Sequence, residues 1–188
     1  MEPPAKRAKP TQDSQTEGEG MTEETYKVFQ EFKKWVDEGA VVHGSRALGL
    51  ALPGSDVDVV VDKSVLEVRD AVRKVNSFTI TKLLVKTRIP RIVVRHLASG
   101  VNLDVVSKKS DLQALDKTQM LSEIINQSTD PDLVTGLLMQ VKHFRRRYGQ
   151  EVMPVADGYP NSFTFGITAM GYLATEAGGR VVRPWRAQ

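Results

Sequence analysis

The chain has 188 residues, a formal net charge of +3, 40% hydrophobic residues and no cysteine. That length can bury one good core, or one domain and part of another, and the lack of cysteine excludes disulfides and thiolate zinc sites. No apolar run is long enough to span a bilayer and the N-terminus lacks the apolar segment of a signal peptide, so the expectation is a soluble intracellular protein with no membrane partner.

Residues 1–21 are rich in Pro, Lys, Gln, Glu, Gly and Ser with almost nothing to bury, and are expected to form a disordered tail. Within them Pro3-Pro4-Ala5-Lys6-Arg7-Ala8-Lys9-Pro10 is a basic cluster of the kind read by nuclear import receptors. A merely solvated tail accounts for it as well, so the nucleus is the expected compartment and the cytoplasm the alternative. Ordered structure should begin with a helix capped at Thr22, with Glu23 and Glu24 in its first turn, where negative charge suits the dipole. Val28, Phe29, Phe32, Trp35 and Val36 fall on one face, and Gly39 is the expected end.

Residues 40–43 read as a short strand. Gly44-Ser45 follows as the start of a helical turn, presenting free backbone N–H groups and a hydroxyl to an anion. The β-branched run Val57-Asp58-Val59-Val60-Val61 predicts a buried strand with Asp56 and Asp58 on one face at its start, because residues i and i+2 of a strand share a face. Two ionised carboxylates so placed repel, and divalent cations between them turn the arrangement favourable. Ser64-Val65-Leu66-Glu67 has the form of a capping box opening a helix to about Asn76.

Residues 78–87, 89–97 and 101–106 read as strands, with Ser99-Gly100 as the last turn. Val101, Leu103 and Val105 alternate toward a core and leave Asp104 on the opposite face, the natural third carboxylate. Three such groups suit a pair of Mg²⁺ or Mn²⁺ ions roughly 3.5–4 Å apart, the spacing of in-line phosphoryl displacement. The expected class is α+β, a mixed sheet flanked by helices. From Leu112 the pattern turns helical. Asp130 is a good N-cap with Pro131 in first position, and the helix runs through Leu133, Leu137, Val141 and Phe144 to Gly149. Lys142 and Arg146 lie one turn apart on the same face.

The run Gly44-Ser45, Gly49-Leu50, Leu52-Pro53, Ser55-Asp56-Val57-Asp58 resembles the signature of the DNA polymerase beta-like nucleotidyltransferase superfamily, and within it the template-independent poly(A) polymerase and terminal uridylyltransferase branch. Arg88-Ile89-Pro90-Arg91-Ile92-Val93 is similar to the strand before the third aspartate there, and Leu138-Met139-Gln140-Val141-Lys142-His143-Phe144 and Asn161-Ser162-Phe163-Thr164-Phe165 look like the opening helices of the central domain. After the tail over residues 1–21, the resemblance implies a nucleotidyltransferase palm over 22–110 and the start of a helical central domain over 111–188. It implies Asp56, Asp58 and Asp104 as catalytic metal ligands, and Gly44, Ser45, Lys142 and Arg146 on the triphosphate. A solvated basic face or an RNA backbone contact is the other reading of Lys142 and Arg146. Ser162 and Phe163 match a Ser-Tyr pair on the nucleotide, with stacking kept and a hydroxyl lost. Thr118 matches a threonine near the sugar or base, with Lys117 replacing the neighbouring asparagine. Both Phe163 and Thr118 also suit plain core or cap roles.

The function so implied is transfer of AMP, or UMP, from a nucleoside triphosphate to an RNA 3′-hydroxyl. The alternative is a truncated, inert relative that binds nucleotide or RNA through a protein partner, suggested by the short central domain and the small net charge. A second-messenger nucleotide synthase of the same superfamily is the third reading, and fits the Gly-Leu and Leu-Pro spacing less well.

Overall fold

The computed structural model describes residues 21–148 and 162–176. The basic cluster near the N-terminus, Gly149 and the stretch containing Gly178, Pro184 and Trp185 lie outside the described residues. Elements in chain order are α1 (Glu23–Trp35), β1 (Val41–Val42), α2 (Gly44–Ala47), β2 (Val57–Val61), α3 (Val65–Val72), β3 (Phe78–Leu84), β4 (Arg91–His96), β5 (Asn102–Ser107), α4 (Ala114–Gln127), α5 (Pro131–Tyr148) and α6 (Ser162–Glu176).

The five strands form one mixed sheet of order β1-β2-β5-β4-β3, in which β2 and β5 are parallel and the other neighbours antiparallel. Alternation along the strands decides its two faces. Val57, Val59 and Val61, Leu103 and Val105, Ile92 and Val94, and Phe78 all point to one face, where Val28, Phe29 and Phe32 of α1 and Val65, Val68 and Val72 of α3 cover them. This is the main core, with Phe32 and Phe78 edge to face at 6.0 Å between ring centroids. The opposite face carries Asp58, Asp104, Arg91 and Lys82, and no apolar core could hold those. An apolar patch on that face, Val60 and Val106, is closed by Ala114 at the start of α4.

A third apolar cluster joins the sheet domain to the helices. Leu50, from the loop after α2, packs with Leu121 of α4, Val134 and Leu138 of α5 and Met170 of α6. The loop leading to the Asp56-Val57-Asp58 segment is therefore anchored in the helical wall. Among the described residues no helix is long and apolar enough to cross a membrane.

Some boundaries differ from the sequence expectation. The Thr22 cap forms, its hydroxyl accepting the Thr25 N–H at 3.2 Å, but α1 stops at Trp35 rather than at Gly39. Gly39 lies beyond the helix, where a Cβ would crowd the Asp62 carboxylate. Trp35, expected on the buried face, is 56% exposed, while Thr25 in the first turn is buried. The Ser64–Glu67 capping box is present, yet α3 ends at Val72, where i to i+3 bonds from Lys74 and Val75 tighten the last turn short of Asn76. Strand β3 stops at Leu84 and β4 begins at Arg91, after Pro90, which has no N–H to donate to a ladder. In α5 the buried stripe is Val134, Leu138 and Arg145, while Leu133 and Phe144 are exposed, because Leu50 and α6 approach one residue further round than the apolar pattern suggests.

Candidate functional site

Strand register brings the acidic groups together. Asp58 and Asp104 are direct partners across the parallel β2–β5 pair, so both side chains rise from the open face on adjacent strands. Asp58 is half-buried, and its carboxyl is pushed up to about 6 by burial first, then by the charges of Asp104 and Asp56, against the pull of Lys142 and Arg46. Burial also raises Asp104, with Arg91 opposing and Asp56 reinforcing. Arg91 Nη1 donates to Asp104 Oδ2 at 3.2 Å, while Asp104 Oδ1 is buried without a hydrogen-bond partner. Asp56 sits just ahead of the strand, exposed, accepting from Asn102 Nδ2 at 3.2 Å.

The Gly44-Ser45 turn packs directly on this pair. His43 N–H donates to the Asp58 carbonyl at 3.0 Å, which ends β1 beside β2 and starts α2 there. Gly44 has φ +66°, and a Cβ on it would lie 2.7 Å from Asp58 Oδ2. Glycine is required on both counts, conformation and space. The Gly44 N–H is not free, as the sequence reading expects. It donates to Thr118 Oγ1 at 2.8 Å, and Thr118 in turn donates to the Ala114 carbonyl at 3.3 Å. Thr118 thus ties α4 to the turn.

Between sheet and helices lies a cleft of about 610 Å³. Asp58, Gly44 and Ser45 form one wall, and Thr118, Lys117, Lys142 and Phe163 the other. Lys142 Nζ donates to the Leu50 carbonyl, and burial holds its ammonium below the usual lysine range despite the attraction of Asp58. Arg146 does not enter the cleft. Its Nη1 donates to the Pro53 carbonyl at 2.6 Å, one turn further along α5. Ser162 opens α6, and its side chain is outside the described ones. Phe163, half-buried, offers a ring to the cleft.

Several charged groups at the site escaped sequence reading. Arg46 is buried and donates through Nε and Nη2 to the carbonyls of Asp56 and Ser55. Its only signal is position, next to the Gly-Ser turn. His43 and Asp111 also line the cleft; burial and, less strongly, Lys117 hold His43 below the ordinary imidazole value, with Asp111 opposing. Arg91 stands beside Asp104 only because β4 pairs with β5, a contact thirteen residues apart in sequence.

The donors suit a hard divalent ion: a buried oxygen of Asp104 lacks any partner, and charge accumulates on Asp58 at a cost that a cation would offset. As the side chains stand, no group of three His, Asp or Glu among the described residues is drawn together tightly enough to hold a metal. Arg91 holds Asp104 Oδ2 and Asn102 holds Asp56 Oδ1.

A mixed sheet with carboxylates facing across its parallel pair, and a Gly-Ser turn packed on one of them, is the fold of a nucleotidyltransferase palm. Residues 24–94 match the family model described as nucleotidyltransferase domain. No curated protein matches it by sequence. Among solved structures it is similar to the Cid1 poly(U) polymerase with MgGTP bound (22% identity, TM-score 0.61, covering 78% of this chain and 47% of that one). It is also similar to the polymerase core of TRAMP, an RNA surveillance complex (20% identity, TM-score 0.62, covering 83% and 52%). A third is the GLD-2/RNP-8 complex (14% identity, TM-score 0.61, covering 80% and 58%). The chain spans about half the length of these structures.

Proposed function

We propose that the chain is the catalytic portion of an RNA 3′-terminal nucleotidyltransferase that moves AMP or UMP from a nucleoside triphosphate to an RNA 3′-hydroxyl. The observation that carries this reading is the pairing of Asp58 with Asp104 at the mouth of a cleft that also holds the Gly44-Ser45 turn and Lys142. In it, Asp56, Asp58 and Asp104 hold Mg²⁺ or Mn²⁺, which when bound supplies Lewis acidity at the α-phosphate and lowers the pKa of the attacking hydroxyl. Asp104 faces the primer 3′-hydroxyl and helps draw off its proton as the new bond forms from that oxygen to the α-phosphorus. The bond from the α-phosphorus to the β-bridging oxygen breaks, and pyrophosphate leaves. Lys142 neutralises the triphosphate, giving up the Leu50 carbonyl to do so. Ser45 contributes its hydroxyl and backbone N–H, and the Thr118 bond to Gly44 keeps the turn in shape. Phe163 supplies an apolar face for the base, with Ser162 as a further contact once the nucleotide is present, while Arg146 holds the loop through the Pro53 carbonyl.

ATP or UTP is the donor in this reading, which draws support from the poly(U) polymerase among the similar structures. Similar structures that are themselves complexes support a protein partner that completes RNA binding. A nuclear location rests on the basic cluster within residues 1–21; a reporter fused to that segment and remaining cytoplasmic would refute it. The inert-relative reading is favoured by one observation, the Arg91 guanidinium on Asp104. The deciding experiment is extension of a labelled single-stranded RNA by the purified chain with Mg²⁺ and each of the four nucleoside triphosphates in turn. Extension lost in Asp58→Ala supports the transferase; no extension, with nucleotide still bound in a calorimeter, supports the inert relative.

A further inference from the structure

The sequence is strongly segregated in charge, although its net charge is small. From Ala71 to Leu103 there is no acidic residue, against Arg73 and Lys74 after α3 and Lys82, Lys86, Arg88, Arg91 and Arg95 on the β3–β4 hairpin. Register decides where the hairpin cations go. Ile92 and Val94 are in the main core, so Arg91, Val93 and Arg95 face the open side of the sheet, the side that bears Asp58 and Asp104. A register shift between Ile80 and Lys82 keeps Phe78, Ile80 and Leu83 on the core while turning Lys82 to the open face opposite Val93. One row across the sheet therefore reads Asp58, Asp104, Val93, Lys82, flanked by Arg91 and Arg95. Lys82, Arg91 and Arg95 are all exposed, and Arg91 is the one that reaches a carboxylate.

The nucleotide cleft lies on the other side. It takes in Asp58 and the α4 and α5 side chains, and stops short of Asp104, Arg91 and Lys82. A transfer reaction needs its two substrates on opposite sides of the reacting phosphorus, and the exposed cations occupy the side that the cleft leaves open. We propose that the open face of β4 and β3, through Lys82, Arg91 and Arg95, is the track for the phosphate backbone of a single-stranded RNA whose 3′ end reaches Asp104. This rests on the transferase reading above. Strands are about 4.8 Å apart, so Lys82 lies roughly 10 Å from Asp104, and the four residues from Arg91 to Arg95 cover roughly 13 Å. That is about four stacked nucleotides at 3.4 Å per step. Exposed cations read phosphates without regard to base, so the track positions the strand and confers no sequence preference. The arriving backbone also competes for the Arg91 guanidinium, so that primer binding frees Asp104 Oδ2.

The test uses the full chain and a fluorescent single-stranded oligoribonucleotide, with anisotropy read across a salt series without nucleotide or metal. The variant Lys82→Gln/Arg95→Gln changes two exposed side chains, and its thermal unfolding should match the parent. Expected is at least about tenfold weaker RNA binding at 0.1 M salt, with the slope of log affinity on log salt reduced by about 1.4, two contacts at roughly 0.7 each for a single strand. Arg73→Gln/Lys74→Gln, the same charge change on the α3 side, should leave the slope unchanged. Equal losses in both variants would show general charge attraction and overturn the track. So would unchanged binding in the first variant, or displacement of the RNA by poly-glutamate as readily as by unlabelled RNA, which would make an acidic peptide the occupant. Nucleoside triphosphate binding, measured by calorimetry on the same samples, separates the two ideas. Its absence in the parent chain sinks the transferase reading, whereas its presence together with unaltered RNA binding in Lys82→Gln/Arg95→Gln sinks only the track.

Discussion

Replacing Asp58 by Asn should stabilise the metal-free chain at neutral pH while abolishing its chemistry. Burial and the neighbouring carboxylates push the Asp58 carboxyl up to about 6 from 3.8. The folded state therefore binds a proton more tightly than the unfolded state does. Between pH 4 and 6 the unfolded chain has already released that proton and the folded chain has not, so stability falls as pH rises. Over about 2.2 pH units, at roughly 1.36 kcal/mol each, the loss reaches about 3 kcal/mol and stays constant above pH 6. Screening by solvent at the cleft mouth makes that a ceiling. Asparagine carries no such charge, so Asp58→Asn should gain up to about 3 kcal/mol over the parent at pH 7.5 and close to nothing at pH 4. Urea unfolding of both proteins at half-unit pH steps measures this. Magnesium supplies the second arm: at ten times its dissociation constant it should stabilise the parent by about 1.4 kcal/mol and the variant far less. A variant no more stable than the parent at pH 7.5, or a difference that does not vary between pH 4 and 6, would refute the claim that Asp58 is held ionised against its surroundings.

Gly44→Ala meets both a positive φ and a Cβ contact of 2.7 Å with Asp58 Oδ2, so it should lose roughly 1–3 kcal/mol in chemical denaturation and most of its primer extension. Lys142→Ala leaves the Leu50 carbonyl without that donor and should mainly raise the KM for nucleoside triphosphate in steady-state extension; a loss confined to RNA affinity would assign Lys142 to the RNA instead. Arg46→Met strips the buried donors from the Ser55 and Asp56 carbonyls, at about 1–3 kcal/mol in urea unfolding. It should lower kcat more than it changes KM, with partial recovery in Arg46→Lys.

Much of the sheet was legible because its elements are short and strongly patterned. The β-branched run at 57–61 and the alternation in 101–106 placed Asp58 and Asp104 on the open face, and the Gly-Ser turn before them forms where expected. What escaped was whatever depends on pairing between distant strands or on helix packing. Arg91 reaches Asp104 through the β4–β5 register, and Lys82 faces the same side only because of a register shift that the sequence does not mark. In α5 the apolar arc that holds Leu133 and Phe144 is wider than the stripe that packs, and the position of Leu50 selects its Val134 and Leu138 edge, leaving Leu133 and Phe144 exposed. The occupied amide of Gly44 was equally hidden, since Thr118 lies 74 residues away.

The loop over residues 50–56 joins the two walls of the cleft, and its bonding shows how. Four of its carbonyls accept from cationic side chains: Leu50 from Lys142, Pro53 from Arg146, and Ser55 and Asp56 from Arg46. Two of those donors come from α5 and one from the sheet domain, so the segment that delivers Asp56 and Asp58 is held from both sides. Lys142 is the donor of the three that also lines the cleft, and a triphosphate there would draw it from the Leu50 carbonyl. Arg146 on Pro53 and the apolar contact of Leu50 with Leu138 then keep α5 against the loop while Lys142 changes partner. The consequence is a division of labour along one helix: Lys142 answers to the nucleotide, and Arg146 to the architecture. Arg146→Ala should therefore loosen the loop and lower stability by about 0.5–1.5 kcal/mol, with a smaller rise in triphosphate KM than Lys142→Ala gives. The reverse ranking would show Arg146 to be the nucleotide ligand and the Pro53 contact to be incidental.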